Sequence, residues 1–378
     1  MSFDFCNFFR FIVRWLSGYR WTARRTLIVL AFLLLYPLLE LVIWAGLLLD
    51  EVLFRRYRRQ PVTAPVFIVG NFRSGTTFLH RLLSKDAERF TTMQMWEVLF
   101  SPSIVGRRIV TAAAAVVGVP ARWILRRIEH FWREQNVMHE VSVTEPEEDD
   151  YLLLHIWSAL SVGLSAGLLD LAQPYAFFDC ALPETDRRRI MSFYRRCVQR
   201  HLLAHHDPRG RQYLAKNPAL TPKLATLREY FPDAKIICLV RNPLEAIPSF
   251  VSMMEFSWQV VGAPSQGPEL GEFLMRMARH WYSYPLEIAE NSPKDSIAIV
   301  DYDRMIRDPA ATVAEFYRRF GFDLSAAFAD ALHEVTDRAR GYESRHVYDL
   351  ESLGLSRDKI VEEFADIFER FDFDTNAR

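Results

Sequence analysis

Hydrophobic and polar positions divide the chain into two parts of different character. The first 60 residues hold two apolar stretches among arginines, whereas the rest alternates short apolar runs with longer segments of helical periodicity. Such alternation is typical of βαβ units and of a mostly parallel sheet. We therefore predict a helix-rich α/β fold of three layers, with hydrophobic helices at the N-terminus. The predicted units are a membrane-associated segment, 1–60, and a globular domain, 61–378.

The apolar segment 27–49 is long enough to cross a bilayer. It is too long for the core of a signal peptide, and arginines on both sides leave its orientation undecided by the positive-inside rule. Pro37 and Glu40 lie mid-segment, where a kink and a carboxylate disfavour a simple span. A kinked in-plane or re-entrant anchor is therefore preferred, with a core helix of a soluble protein as the alternative.

Residues 3–21 place phenylalanines and tryptophans among arginines, which is typical of an amphipathic interfacial helix. We expect association with a membrane surface. The four cysteines are scattered without a C-x-x-C pair, and the chain has no N-x-Ser/Thr triplet. Both observations favour a reducing compartment, so the larger domain is expected on the cytoplasmic side. A net charge of −1 argues against a nucleic-acid partner.

Three short apolar runs are the best candidates for strands: Val66–Val69, Ile236–Val240 and Ile297–Val300. Helical periodicity and boundary residues predict the following helices: Thr76–Ser84, Asp186–His205, Thr221–Tyr230, Gly271–Glu290, Ala310–Phe320 and Arg357–Phe371. The segment Arg55–Pro65 is basic and bounded by proline, so we predict a linker there.

The turn between Gly70 and Gly75 follows the first predicted strand and opens the first predicted helix. Backbone N–H groups of such a turn converge on one concavity, and the helix dipole adds positive charge, so the turn can hold an anion. The glycine spacing is that of a P-loop, but the lysine that should follow Gly75 is replaced by Thr76, and a cation stands inside the loop at Arg73. We predict a P-loop-like site for a phosphate-like group.

A second motif follows the strand Ile236–Val240. Arg241 stands at its carboxyl end, before Asn242-Pro243, and Ser249 lies eight residues beyond Arg241. Ligands bind at this edge of a parallel sheet. A guanidinium fork and a hydroxyl suit a phosphate monoester.

The two motifs together resemble the sulfotransferases that use 3′-phosphoadenosine 5′-phosphosulfate (PAPS), in the branch with an Arg-Ser-Gly-Thr-Thr loop. The resemblance implies that the 5′-phosphosulfate is held by Arg73, Ser74, Gly75, Thr76 and Thr77. It implies that Arg241 and Ser249 hold the 3′-phosphate. It covers the chain from about residue 62 to the C-terminus, and it implies no metal requirement.

Other stretches extend the resemblance. Lys216-Asn217-Pro218 resembles the family's Lys-Ser-Pro segment beside the donor, with Asn217 in place of the usual serine. The resemblance suggests Lys216 as a second cation for the bridging oxygen or the sulfonate. Residues 346–355 resemble the C-terminal signature, in which His346 and Tyr348 are expected to close over the donor or to serve only in packing.

Three side chains are candidates for the base that takes the acceptor's proton. Glu97 ranks first because related enzymes place a catalytic glutamate at about this distance from the loop. Glu148, in the acidic run 145–150, ranks second, since this run resembles a segment near the acceptor pocket. Four carboxylates in a row are otherwise more typical of a solvated surface. His139 ranks third and is also a candidate for binding the acceptor.

The acceptor is less well defined than the donor. The apolar N-terminal segment and the many aromatic residues favour the hydroxyl of a lipid or other hydrophobic molecule, and a carbohydrate is the alternative. Two other functions compete: a P-loop nucleotide kinase or NTPase, which would need the loop lysine and a carboxylate for magnesium, and a non-catalytic membrane scaffold on a nucleotide-binding fold.

Overall fold

The protein is described here from a computed structural model, which covers residues 2–17, 21–115, 145–205, 210–261, 268–339 and 354–376. These residues form a five-stranded sheet, with every neighbouring pair of strands parallel and the order β2-β3-β1-β4-β5. The strands are β1 (Val66–Gly70), β2 (Phe90–Thr91), β3 (Gln212–Lys216), β4 (Lys235–Val240) and β5 (Ile297–Asp301). The predicted α/β class with a parallel sheet is confirmed.

Helices cover both faces of the sheet and precede it in the chain. The N-terminal and first-half helices are α1 (Phe5–Ser17), α2 (Ala23–Leu53), α3 (Thr76–Leu83), α4 (Met95–Phe100), α5 (Leu160–Leu164), α6 (Leu169–Ala176), α7 (Phe178–Ala181) and α8 (Glu184–Ala204). The second half adds α9 (Leu224–Tyr230), α10 (Pro243–Val261), α11 (Pro268–Glu290), α12 (Tyr302–Arg307), α13 (Pro309–Phe320), α14 (Ala326–Ala339), α15 (Arg357–Glu363) and α16 (Ala365–Phe371). Short 3₁₀ helices lie at Arg55–Arg59, Asp149–Ile156 and Pro218–Lys223.

The central strand β1 explains the three layers. All five of its residues are buried, and alternate side chains point to opposite faces of the sheet. Phe67 and Val69 belong to one hydrophobic cluster, whereas Val66 and Ile68 belong to a second cluster on the other face. A strand buried on both faces reads as a continuous apolar run, which is why this segment was recognisable in the sequence.

The strands predicted at 66–69, 236–240 and 297–300 are confirmed, each within one residue at either end. The sequence did not predict β2 and β3. Each is short or interrupted by polar residues, and β3 includes Gln212 and Lys216. The single helix predicted at 221–230 is a 3₁₀ helix followed by α9, and the one predicted at 357–371 is divided between α15 and α16 at Phe364.

The N-terminal helices pack against the rest of the protein. α2 runs through Pro37 as one helix of 31 residues, and it is long and apolar enough to cross a membrane. Side chains of α1 and α2 (Phe11, Trp15, Val29, Ile43 and Leu47) belong to the same hydrophobic cluster as one face of the sheet. The basic segment at 55–59 forms a 3₁₀ helix with Tyr57 fully buried. The sequence changes character at residue 60, but the hydrophobic core continues across that position.

Gly70 ends β1 in a conformation that other residues rarely adopt. Its φ is +138°, and a Cβ there would lie 2.3 Å from the carbonyl oxygen of Leu239 in the neighbouring strand β4. This contact is with backbone, so the sheet itself would have to move. The absence of a side chain at Gly70 allows β1 to turn into the loop beside β4.

Replacing Gly70 with alanine should lower the free energy of unfolding by more than the roughly 1–3 kcal/mol that a strained backbone conformation costs, because the new Cβ also meets Leu239. The control is Gly210→Ala, since Gly210 has φ +69° and no atom within 4 Å of the added Cβ. Its loss should be about 1–2 kcal/mol. Urea denaturation of both variants measures the difference, and equal losses would contradict the steric argument.

Candidate active site

A cavity of about 500 Å³ lies at the carboxyl edge of the sheet. Loops that follow β1, β3 and β4 meet there, as expected for a ligand site in a parallel sheet. Its lining includes polar and charged residues: Arg73, Thr76, Thr77, Glu147, Glu148, Asp150, Arg241 and Tyr302. It also includes an apolar set: Phe72, Met95, Leu160, Leu164, Phe250, Met253 and Met254, which we call the apolar wall.

The loop between β1 and α3 places four predicted donor residues at this cavity: Arg73, Gly75, Thr76 and Thr77. Gly75 is the N-cap of α3 with φ +82°, and Arg73 also has a left-handed φ, of +64°. Left-handed conformations at such turns let successive N–H groups converge on an anion. The fifth predicted residue, Ser74, is buried, and its hydroxyl donates to the carbonyl oxygen of Asn71 at 2.5 Å. Ser74 therefore stabilises the loop by a hydrogen bond within it and does not line the cavity.

The second motif lies against the first. The Nη1 of Arg241 donates to the carbonyl oxygen of Arg73 at 2.9 Å, and the guanidinium lies over the ring of Tyr302 at 4.5 Å. The Nε of Arg73 donates to the Oγ of Ser249, also at 2.9 Å. The structure thus brings Arg73 together with Arg241 and Ser249, which lie more than 160 residues further along the chain.

Arg241 also has a carboxylate partner in the first turn of α10. Its Nε and Nη2 donate to one oxygen of Glu245 at 2.9 and 2.7 Å. Glu245 thus orients the guanidinium of Arg241 before a ligand binds. A phosphate bound there would compete with the Glu245 carboxylate for the N–H groups of Arg241.

Lys216 is fully buried at the end of β3 and pairs with two carboxylates. Its Nζ lies 2.7 Å from an oxygen of Glu148 and 3.3 Å from an oxygen of Glu147. Burial raises the pKa of Glu148 above its ordinary value, although the charge of Lys216 opposes the shift. A carboxylate with a raised pKa in a cavity is suited to accept a proton.

The two residues that follow Glu148 fasten this acidic segment to the core. Asp149 accepts hydrogen bonds from Tyr213 at 2.7 Å, from Asn217 at 2.9 Å and from Tyr194. Burial raises the pKa of Asp149 to about 6, although these hydrogen bonds oppose the shift. Asp150 pairs with the buried Lys223 at 3.0 Å. The acidic run at 147–150, whose composition suggested a solvated surface, is held by partners inside the protein.

Glu97 lies outside the residues that line the cavity, and only 1% of it is exposed. Its carboxylate lies 2.6 Å from His205 and 3.3 Å from Arg107, and it accepts the N–H of Gln94 at the start of α4. Burial alone would raise the pKa of Glu97, but Arg107 and the two neighbouring histidines hold it well below its ordinary value. These contacts tie Glu97 to Arg107, His205 and the start of α4 outside the cavity, whereas Glu148 lines the cavity.

Glu97, His201 and His205 offer one ligand atom each within 4.8 Å of one another, so this group could hold a metal ion. It lies apart from the cavity. The guanidinium of Arg107 already supplies positive charge to the same oxygen of Glu97 that His205 contacts.

Three predicted site residues, His139, His346 and Tyr348, lie outside the described residues. Sequence reasoning missed Tyr302 and the apolar wall. Tyr302 directly follows β5, so the rule that ligands bind at the carboxyl ends of parallel strands could have found it. The apolar wall carries no such signal, because its leucines and methionines resemble core residues.

Comparisons with known proteins agree with one another. A sequence profile described as the sulfotransferase family matches residues 65–326. Two curated relatives, from Mycobacterium bovis and Mycobacterium tuberculosis, are both called omega-hydroxy-beta-dihydromenaquinone-9 sulfotransferase Stf3. Each is 23% identical over 355 residues, which cover 92% of this chain and 85% of the relative.

Two solved structures share the fold. Sulfotransferase STF9 from Mycobacterium avium has a TM-score of 0.69 at 19% identity, covering 88% of this chain and 83% of that one. Sulfotransferase STF1 from Mycobacterium tuberculosis has a TM-score of 0.65 at 22% identity, covering 87% and 81%.

Replacing Glu97 with glutamine should lower the free energy of unfolding by about 3–5 kcal/mol, because Arg107 is left buried beside a neutral group. The lowered pKa of Glu97 means that its contribution is fully present above its unfolded pKa, about 4.3, and is lost as pH falls below that value. The control is Glu369→Gln, which changes an exposed glutamate. Both variants are measured by urea denaturation from pH 3 to pH 7, in steps of about one pH unit. Unchanged stability with abolished turnover would instead identify Glu97 as the base.

Proposed function

Because the chain belongs to the sulfotransferase family, we propose that it moves a sulfuryl group from PAPS to the hydroxyl of a lipid or other hydrophobic acceptor. The observation that carries this proposal is one cavity whose lining combines two unlike sets of residues. Arginines and carboxylates suit an anionic donor and a proton acceptor. Leucines, methionines and two phenylalanines suit an apolar acceptor, which loses its contact with water there.

For the donor, we assign the phosphosulfate to the loop and the 3′-phosphate to Arg241 and Ser249. The loop residues concerned are Arg73, Ser74, Gly75, Thr76 and Thr77, with Ser74 acting by closing the loop. PAPS as the donor substrate supplies a sulfuryl group on a good leaving group, adenosine 3′,5′-bisphosphate. The fit rests on the left-handed backbone conformation at Arg73 and Gly75 and on the guanidinium groups of Arg73 and Arg241. The proposed chemistry requires no metal.

In the proposed mechanism, Glu148 takes the proton of the acceptor hydroxyl as that oxygen bonds to sulfur. The bond between sulfur and the bridging phosphate oxygen breaks in line with the attack. We assign Lys216 to stabilise charge on the bridging oxygen or the sulfonate; its Nζ lies 2.7 Å from Glu148, although Lys216 is not among the residues that line the cavity. Arg73 and the loop N–H groups stabilise the negative charge on the remaining oxygens.

For the acceptor, the apolar wall supports a hydrophobic alcohol. Met253 and Met254 on α10 supply flexible, polarizable side chains that adapt to irregular apolar ligands. Leu160 and Leu164 line the same cavity. The relatives named for a menaquinone derivative act, by that name, on a lipid-like molecule. Since PAPS is made in the cytosol, we place the catalytic domain on the cytoplasmic face of a membrane.

Replacing Glu148 with glutamine should lower kcat by about 10²–10⁴-fold, the usual contribution of a general base. In the native protein the acidic limb of the kcat/KM profile should lie above the ordinary glutamate pKa of about 4.3, since burial raises the pKa of Glu148 and only the ionised form accepts a proton. Glu147→Gln is the matched control because Glu147 contacts the same Lys216. An unshifted limb in Glu148→Gln would exclude it as the base.

Sulfur-labelled PAPS incubated with the purified protein and extracted membranes should transfer label to material that partitions into organic solvent. Arg73→Ala should reduce this transfer by about 100-fold or more, because a stabilising charge at the sulfuryl group is lost. Arg318→Ala, an exposed arginine on α13 outside the cavity, should transfer at the native rate.

The outcomes separate donor from acceptor. Label found only in water-soluble glycans would overturn the lipid acceptor and favour a carbohydrate. Tight binding of adenosine 3′,5′-bisphosphate without transfer to any fraction would favour the non-catalytic scaffold. Thermal protection by ATP and Mg²⁺ but not by the bisphosphate would overturn PAPS as the donor.

A further inference from the structure

The two faces of α2 differ completely. The docked face is defined by Arg25, Val29, Glu40, Ile43, Leu47 and Asp50, all buried against the protein. The apolar stripe is defined by Leu27, Leu30, Leu34, Leu38, Leu41 and Leu48, which are 54–69% exposed. At 100° per residue the two sets fall on opposite sides of the helix. An exposed apolar surface of this length is typical of a membrane or protein contact.

Charge is absent from the apolar stripe. Glu40 is the sole charged residue between positions 26 and 49, and it lies on the docked face. Exposed arginines stand at both ends of α2: Arg24 in its first turn, and Arg55, Arg56 and Arg59 after it. An apolar stripe with cations at its two ends complements a bilayer that carries anionic headgroups. A second copy of this chain would present the same positive ends and repel them.

Two buried polar contacts hold the docked face along its length. Near the middle, Glu40 lies 2.8 Å from Nδ1 of His155, whose Nε2 contacts the carbonyl oxygen of Val98 at 2.9 Å. Near the C-terminal end, Asp50 accepts from Arg200 at 3.0 Å and from the N–H groups of Ile104 and Val105 at 2.8 and 3.0 Å. Detaching α2 would leave both carboxylates and Arg200 without these partners.

A spanning α2 is incompatible with these contacts. The helix is about 46 Å long at 1.5 Å per residue, longer than the roughly 30 Å hydrocarbon core. The protein that it packs against would have to enter the bilayer beside it. That protein includes the charged helix α8, from which Arg200 reaches Asp50.

We propose that α1 and α2 dock in the plane of one leaflet of an anionic membrane, with the apolar stripe in the lipid and both ends of α2 on the same side. α1 also exposes apolar side chains: Phe5, Phe9 and Val13. In this arrangement both ends of the anchor lie on one side of the membrane, and Asp50 and Glu40 hold the anchor to the catalytic domain.

This surface has a short connection to the cavity, and the connection rests on the function proposed above. The 3₁₀ helix Asp149–Ile156 follows Glu148 at the cavity and ends at His155 and Trp157 against α2. Its eight residues rise about 16 Å. A hydrophobic acceptor in the leaflet therefore lies within a short distance of the base.

Site-specific labelling tests the topology in the full chain. Cys6→Ser and Cys180→Ser remove the exposed cysteines, and Arg24→Cys or Arg59→Cys then places one thiol at either end of α2. A membrane-impermeant maleimide should label both positions from the cytoplasmic face of sealed vesicles and neither from the opposite face. Labelling of the two positions from opposite faces would overturn the proposal.

Flotation with vesicles of phosphatidylglycerol and phosphatidylcholine tests the stripe itself. Leu38→Glu should reduce the bound fraction by about tenfold or more, since a carboxylate replaces an apolar group in the lipid. The matched control is Leu324→Glu, an exposed leucine outside α1 and α2, which should bind normally. Native protein that stays unbound, and forms dimers that Leu38→Glu abolishes, would assign the stripe to a second copy. Sulfation of a detergent-dispersed acceptor is measured in parallel, so loss of docking and loss of catalysis are read separately.

Discussion

The position of the acidic segment at the cavity depends on the partners of three consecutive carboxyl groups. Glu148 meets Lys216, Asp149 meets two tyrosines and an amide, and Asp150 meets Lys223. Each partner comes from β3, from the 3₁₀ helix that follows it or from α8, so the acidic segment is tied to the edge of the sheet at several points. Buried charges are tolerated only when paired in this way. The same pairing keeps Glu148 at the cavity and leaves its partner Lys216 beside it.

Local motifs were readable from the sequence because their signal is local. β1 and the loop after it lie within positions 66–77, and β4, Arg241 and Ser249 lie within positions 235–249. The pairing of Glu148 with Lys216 joins positions 68 residues apart, and composition alone suggested a solvated surface. Glu97 shows the converse: its spacing from the loop made it the leading candidate, yet Arg107 and His205 enclose its carboxylate. A distance along the chain does not reveal which side chains fold over a group.

The N-terminal helices show a similar limit. Hydrophobicity of the segment 27–49 predicted a membrane-directed element, and Glu40 within it argued against a simple span. The partners of Glu40 and Asp50, His155 and Arg200, lie more than 100 residues away. Their positions decide which face of α2 is docked and which remains apolar. The periodicity of the helix alone could not show this, because apolar residues occupy nearly every position.

The two arginines of the cavity are braced against each other. Arg241 holds the carbonyl oxygen of Arg73, Arg73 holds Ser249, and the ring of Tyr302 lies beneath Arg241 and so close to Gly75 that a Cβ there would come within 2.5 Å. Arg241 therefore cannot shift without breaking its contact with the backbone of Arg73. A ligand that engages both guanidinium groups would have to present two anionic groups at one set separation. For the donor proposed above, the distance between its two charged groups would then decide whether it fits.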